Sequence, residues 1–504
     1  MKKYLAIAFA LSSTLLLTSC KKYLKEEARS LISTETFYKT NADAVSAVNG
    51  IYAAMRADVR GNIDPIWMSE MPADDVTAIG TPIGERLEIE NLVYSSQHNF
   101  IRNTWTTAYN VINRANTVLK FVDSANILPT LTRRIHGEAK FLRAFYYTRL
   151  VQFYGDIPLL LTPTSPDSLY PARTAKAIIF NQIIEDLMYA EINLDDRYAY
   201  TDGQNGGRAT KLAAKSLLGY VYLLMGGYPT NDASKFQLAV EKLNEVITNK
   251  TRYNVDVQPI YKDIFDITKK GINKEYVFYY AGTAGLSASV QAATSMQFWT
   301  YNFPSWGPTK EVYDAVTNTS QVYETGDLRS TTNLAKKSGT SVVPVTNTSG
   351  TLIIAKYIDN IATSADNAAD WHAIRYSDVV LMNAEALIEV GGATNLTTAL
   401  GLINTVRRTH GGLTLPLLTF STQDDLRQKL RLERRRELMF EGKRWEDLIR
   451  WGIFIPTMKA HMAFQYAKPV SPTYDYIDQN RLLYPLPYID YVSNPNLRPQ
   501  NPGY

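Results

Sequence analysis

The chain has 504 residues, 45% of them hydrophobic and 20% charged, with a formal net charge of +4. That length supports a large globular body, and so small a net charge argues against a nucleic-acid partner. A lone cysteine, Cys20, excludes an internal disulfide and a cysteine metal site, and the five histidines (His98, His136, His372, His410, His461) show no paired spacing, so no metal and no cofactor is expected.

Residues 1–19 read as a signal peptide. Lys2 and Lys3 form its charged start, and the apolar run from Leu5 to Leu17 is shorter than the roughly 20 residues a membrane-spanning helix needs. The run ends Leu17-Thr18-Ser19-Cys20, the aliphatic-small-small-Cys order of a bacterial lipobox, so Cys20 is expected to carry lipid and residues 20–35 to act as a tether. Acyl chains there would anchor the protein by burying methylenes at about 0.8 kcal/mol each. No later stretch is apolar enough to span a membrane.

Asn41 to Met55 has the spacing of a helix, with Ala44, Val48, Ile51, Tyr52 and Met55 on one stripe. Asp58 to Asn99 lacks such a period and is punctuated by Gly61, Pro65, Pro72, Gly80, Pro82 and Gly84. It reads as a long loop region, the kind of segment that carries binding groups, and Trp67, Asp74 and Tyr94 are its candidate ligand-binding residues. Helical hairpins follow. Trp105 to Val122, Arg133 to Tyr154, Ala175 to Leu194, Arg208 to Met225 and Lys235 to Thr248 all carry apolar residues at helical spacing, small alanines facing aromatics.

Tyr261 to Gly350 breaks that rhythm. Tyr276 to Tyr280 suits a short strand, and Thr331 to Thr351, rich in Ser, Thr and Asn, suits an exposed loop. Between them stand Phe298-Trp299-Thr300-Tyr301-Asn302-Phe303 and Trp306-Gly307-Pro308. Aromatic rings on an irregular segment have less need to be core than rings on a helix stripe. Sugar rings stack their C–H faces on such planes while amides and carboxylates fix the hydroxyls. Trp299, Tyr301 and Trp306 are therefore the first choice of ligand platform, against the reading that they only pack.

Ile374 to Val390 is helical again and stops at Gly391-Gly392, with Thr397 to Thr409 as its partner. Leu426 to Gly452 is the most informative stretch. Ser421 or Thr422 can cap a helix whose first turn holds Asp424 and Asp425. Leu426, Leu430, Arg434, Glu437 and Glu441 then share one stripe, which starts apolar and continues charged. Charges on a core-facing stripe must be paired. Glu433, Glu437 and Glu441 are thus predicted to meet arginines nearby, among them Arg434, Arg436, Arg444 and Arg450. Gly442 is expected to end the helix in a left-handed cap, and Arg444 to Trp451 to begin a second. Two rival readings are weaker: the interleaved glutamates nearly cancel the charge that phosphate binding needs, and flanking arginines would lower carboxyl pKa values, which suits an ion network better than a general acid.

Several motifs resemble the SusD/RagB family, the nutrient-capturing surface lipoproteins of Bacteroidetes. They are Glu433-Arg434-Arg435, Glu437-Leu438, Phe440-Glu441-Gly442, Arg444-Trp445, Asp447-Leu448 and Arg450-Trp451-Gly452; the Gly137 to Leu159 helix with its Gly-Glu-Ala start and Gly155-Asp156-Ile157-Pro158 end; the Ile374 helix, with Asp378 where the family has Glu; and the tail Tyr484-Pro485-Leu486-Pro487 with Asn494-Pro495-Asn496-Leu497 and Gln500 to Tyr504. The resemblance implies a mostly α fold of tetratricopeptide-like helical hairpins with an irregular, loop-rich ligand-facing region. Residues 36–260 would be the N-terminal helical region, 261–370 the ligand-facing insertion and 371–504 the C-terminal region, with the proline-rich tail extended and docked. It also implies binding without catalysis: an oligosaccharide captured at the outer-membrane surface and delivered to a SusC-like TonB-dependent transporter. Two other classes stay open. A surface glycosidase would need two carboxylates in a cleft, for which Asp74/Asp75 and Glu85/Glu88/Glu90 are the loop candidates. A tetratricopeptide-like scaffold would bind peptides.

Overall fold

The computed structural model describes residues 37–59, 64–78, 84–124, 127–198, 206–282, 306–339, 341–357 and 368–504. Cys20, Trp299 and Tyr301 lie outside them.

The first half is a row of antiparallel helices: Asn41–Met55, Asn99–Phe121, Pro129–Tyr154, Lys176–Asn193, Lys211–Gly226 and Ser234–Thr248. Each after the first packs on the one before it in the chain. Side-chain chemistry starts several of them: Thr40 and Asp43 form a reciprocal capping box, and Thr210 accepts the amide N–H of Ala213. Close approach is built in by glycine. A Cβ at Gly219 would sit 2.5 Å from Leu243 Cγ, and one at Gly226 would sit 2.6 Å from Phe236, so neither position has room for a side chain where the last two helices meet.

The row continues into the C-terminal region, where Tyr376–Val390 packs on Ser234–Thr248, Ala393–Val406 and Gln423–Leu438. One hydrophobic core runs through both halves. The mostly α architecture of stacked hairpins expected from the sequence is therefore present. Among the described residues no helix is long and apolar enough to cross a membrane.

Two expectations need correction. The region from Asp58 to Asn99 is not a bare loop: it holds the helices Asp64–Glu70 and Gly84–Glu90 and the strand Val76–Ala78, and it is largely buried. That strand pairs antiparallel with Trp306–Pro308, Ala78 opposite Trp306. The stretch Thr331 to Thr351 is not an exposed loop either. Leu334–Ser338 is the central strand of a three-stranded antiparallel sheet between Ser341–Pro344 and Thr351–Ile354. The central strand buries Lys336 and Lys337, and Lys336 Nζ donates to Asn347 O at 2.6 Å. Strands of four or five residues with lysines at buried positions leave almost no hydrophobic alternation to read. The Tyr276–Tyr280 strand is present, paired with Trp371–Arg375.

The tail is docked. Asn501 Nδ2 donates to Tyr154 O at 2.9 Å and to Tyr484 O at 2.7 Å, and Arg173 donates to Pro499 O at 2.7 Å. Tyr484, fully buried, donates its hydroxyl to Met68 O at 2.7 Å.

Candidate functional site

The charged stripe of the Gln423–Leu438 helix forms a buried ion network, and its partners differ from those expected. Glu433 accepts from Arg329 at 2.6 Å and Arg407 at 3.2 Å, with Arg436 at 3.5 Å. Glu437 meets Arg375 at 2.7 Å, His410 at 2.8 Å and Arg329 at 3.2 Å. Glu441 meets Arg375 at 2.8 Å and Lys356 at 2.5 Å. Of the four arginines named from the sequence, only Arg436 touches one of these glutamates. Arg434 instead bonds Asp378 and Asp447, Arg444 bonds Asp74, and Arg450 bonds Glu385 and Asp447. The arginines missed are distant in sequence. Arg375 stands just before the Tyr376–Val390 helix, and Arg407 lies in a π-helical turn, Arg407–Gly411, that also presents His410.

Burial alone would raise the Glu441 carboxyl, but Arg375 and Lys356 overcome it and hold it at about 2. Glu437 is likewise pulled well below the carboxylate range by His410, Arg375 and Arg329 against the effect of burial. Carboxylates held ionised this firmly carry no proton to donate, which suits a structural ion network better than a general acid. The corner after it is equally tied. The helix ends at Leu438, earlier than expected. Phe440 takes a positive φ of 66° and Gly442 one of 68°, and the amide N–H groups of both donate to Glu70 at 2.9 Å.

The ligand candidates named from the sequence fare differently. Trp67 and Trp306 are each 1% exposed and pack on each other, ring centroids 5.5 Å apart. Tyr94 is 2% exposed, 4.8 Å from the Tyr484 ring. Asp74 is 3% exposed and is gripped by Arg435 at 3.0 Å and Arg444 at 2.7 Å. As placed, none of the four presents a face to a ligand: strand pairing and the ion network draw this irregular segment into the core. Two more of the acids weighed for catalysis, Asp75 and Glu90, are engaged too. Asp75 pairs with Arg435 at 2.7 Å, and Glu90 accepts from Thr77 at 2.7 Å and from the Ala78 amide at 3.1 Å. Among the described residues no group of three or more His, Cys, Asp or Glu side chains is placed to hold a metal ion.

Trp67 and Trp306 pack together where the Trp306–Pro308 strand pairs with Val76–Ala78. Asp370 accepts the Gly282 amide at 2.7 Å, and Lys270 donates to Gly282 O, Ala368 O and Asp370. Gly442 fits between Ile66 and Trp371, the strand partner of Tyr280. Trp299 and Tyr301 lie outside the described residues.

Residues 11–223 match a family model described as "Starch-binding associating with outer membrane", and residues 272–504 match one described as "SusD family". A SusD-like protein P2 from Formosa agariphila is 27% identical, with all of both chains covered. A SusD-like protein from Bacteroides ovatus is 24% identical over 71% of this chain and 66% of its own. Among solved structures, a SusD homolog from Bacteroides thetaiotaomicron superposes with a TM-score of 0.78 at 22% identity, covering 95% of this chain and 100% of that one. A laminarin-binding SusD-like protein superposes with a TM-score of 0.73 at 25% identity, covering 93% and 100%.

Proposed function

Because the chain belongs to the SusD/RagB family, we propose that it captures a glycan at the outer-membrane surface and passes it, chemically unaltered, to a SusC-like TonB-dependent transporter. The observation that supports this reading most is the pair of family matches spanning most of the chain, joined by a fold shared with a laminarin-binding protein. Cys20, in its lipobox, is the residue that carries the membrane anchor. Trp299 and Tyr301 are the stacking platform; Trp306, Trp67, Tyr94 and Asp74, named with them from the sequence, are packed inside the body. The pairing of Asp74 and Asp75 with Arg435 and Arg444 favours binding without hydrolysis.

Titration calorimetry of the mature protein against a glycan panel that includes laminarin tests the reading. Saturable binding to at least one glycan, with no new reducing ends after prolonged incubation, is the expected result. Binding to peptides alone would remove the sugar reading, and turnover would make the protein an enzyme. Loss of membrane association in Cys20→Ser, and recovery of a TonB-dependent transporter with the wild-type protein from detergent extracts, test the anchor and the partner separately.

A further inference from the structure

A cavity of about 410 Å³ opens at the C-terminal end of the Pro129–Tyr154 helix, far in sequence from the stacking platform. Its walls include Phe180, Leu224, Trp445, Ile449 and Leu482, and Asn501 and Pro502 of the tail close one side. The volume lies within the range of small-molecule sites, and so does the character: an apolar interior with a few convergent polar groups.

The polar groups are unevenly matched. Most already have partners. Arg450 is held by Glu385 and Asp447 at 2.8 Å. Glu446 accepts from Tyr220 at 2.9 Å and Ser69 at 3.3 Å, and Tyr228 donates to Gln479 at 2.8 Å. Arg173, Lys176 and Asp156 are different. Arg173 donates to three neutral oxygens, Asp156 O, Pro499 O and Asn501 Oδ1. The Lys176 backbone N–H donates to the Asp156 carboxylate at 2.9 Å, but its ammonium makes no ion pair among the described residues. Burial pushes both cations down, and Asp156 is the carboxylate that opposes this for each. Arg173 and Lys176 thus line the apolar chamber with no ion pair among the described residues, whereas its two carboxylates are engaged, Asp156 by the Lys176 amide and Glu446 by two hydroxyls. A neutral sugar would leave the two cations without a counter-ion and would find few hydroxyl partners along the apolar wall. An anion with an apolar body would answer both.

We propose that this cavity is a second binding site, selective for a carboxylate carried on an apolar body, with Lys176 and Arg173 receiving the carboxylate and Phe180, Leu224 and Ile449 enclosing the body. The same chemistry is offered by a free medium-chain acid and by the C-terminal residue of an apolar peptide.

Calorimetry on the full mature chain distinguishes these sources. Octanoate and N-acetyl-leucyl-leucine are the probes, with octanamide and N-acetyl-leucyl-leucine amide as uncharged controls and glucuronate as a charged control without an apolar body. Saturable one-to-one binding of at least one carboxylate probe is expected, about tenfold tighter than its amide, since a charge-assisted hydrogen bond of about 1.5 kcal/mol is at stake. Octanoate binding alone identifies the free acid, and peptide binding alone the chain terminus. Lys176→Gln should remove the preference for carboxylate over amide while leaving the melting temperature unchanged. Leu224→Trp, which fills the chamber, should abolish binding of both forms. Equal affinity for acid and amide, binding of glucuronate as tight as octanoate, or indifference to Lys176→Gln overturns the proposal. So does a folded wild-type protein that binds neither carboxylate probe.

Discussion

One seven-residue helix, Arg444–Arg450, belongs to two regions that use charge in opposite ways. Arg444 and Asp447 turn into the ion network, while Trp445, Glu446 and Ile449 line the 410 Å³ cavity. In the network each of Glu433, Glu437 and Glu441 has two or more cationic partners within 3.5 Å, and all three are buried. At the cavity Arg173 and Lys176 make no ion pair among the described residues. Matched charges out of water hold a fold in register, and an unmatched charge beside an apolar chamber is free to recognise something. The kind of residue is the same; the count of partners decides its role.

The contrast breaks if the two sets of charges cost the same to remove. The largest expected effect is Arg375→Ala, which strips the buried carboxylates Glu437 and Glu441 of a shared partner and leaves Glu441 with Lys356 alone. It should destabilise the protein by roughly 3–5 kcal/mol in denaturant titrations, and a loss under 1 kcal/mol would mean the network is decorative. Trp306→Ala should cost a similar amount, about 3–5 kcal/mol, by opening a hole against Trp67. The double replacement Trp299→Ala/Tyr301→Ala should instead abolish glycan retention and change stability by less than about 1 kcal/mol, which separates platform from core.

Acid sharpens the comparison further. The folded carboxyl of Glu441 lies at about 2, below its ordinary value of 4.5, so its stabilising contribution is complete above pH 4.5 and disappears as pH falls toward 2. That single group accounts for on the order of 3 kcal/mol. Denaturation midpoints measured from pH 6 down to pH 3 should fall steeply below pH 4.5, and Glu441→Gln should flatten the decline. The smallest effect belongs to the cavity: Lys176→Gln should alter stability by no more than about 0.5 kcal/mol.

Much of the fold could be read from periodicity. Asn41–Met55 has the bounds expected, and the Gly391-Gly392 stop and the Thr422 cap are where helix-end chemistry places them. The need for a network was legible as well, because charges continuing an apolar stripe require partners. Who the partners are was not. Arg329, Arg375 and Arg407 reach Glu433, Glu437 and Glu441 from other elements, and no local spacing encodes such pairings. The burial of Trp306 was missed for a related reason. Its three-residue strand is too short to show a period, and its partner strand lies more than 200 residues earlier. The cavity left no trace in local pattern either, since its walls come from six separated stretches.

The docked tail has a consequence for how the molecule comes into being. Asn501 ties together Tyr154 and Tyr484, and Arg173 reaches Pro499 across 326 positions of sequence. During synthesis the early helices can stack before Asn501 and Pro502 arrive, and until these dock the chamber lacks a side and shows its greasy wall to chaperones and proteases.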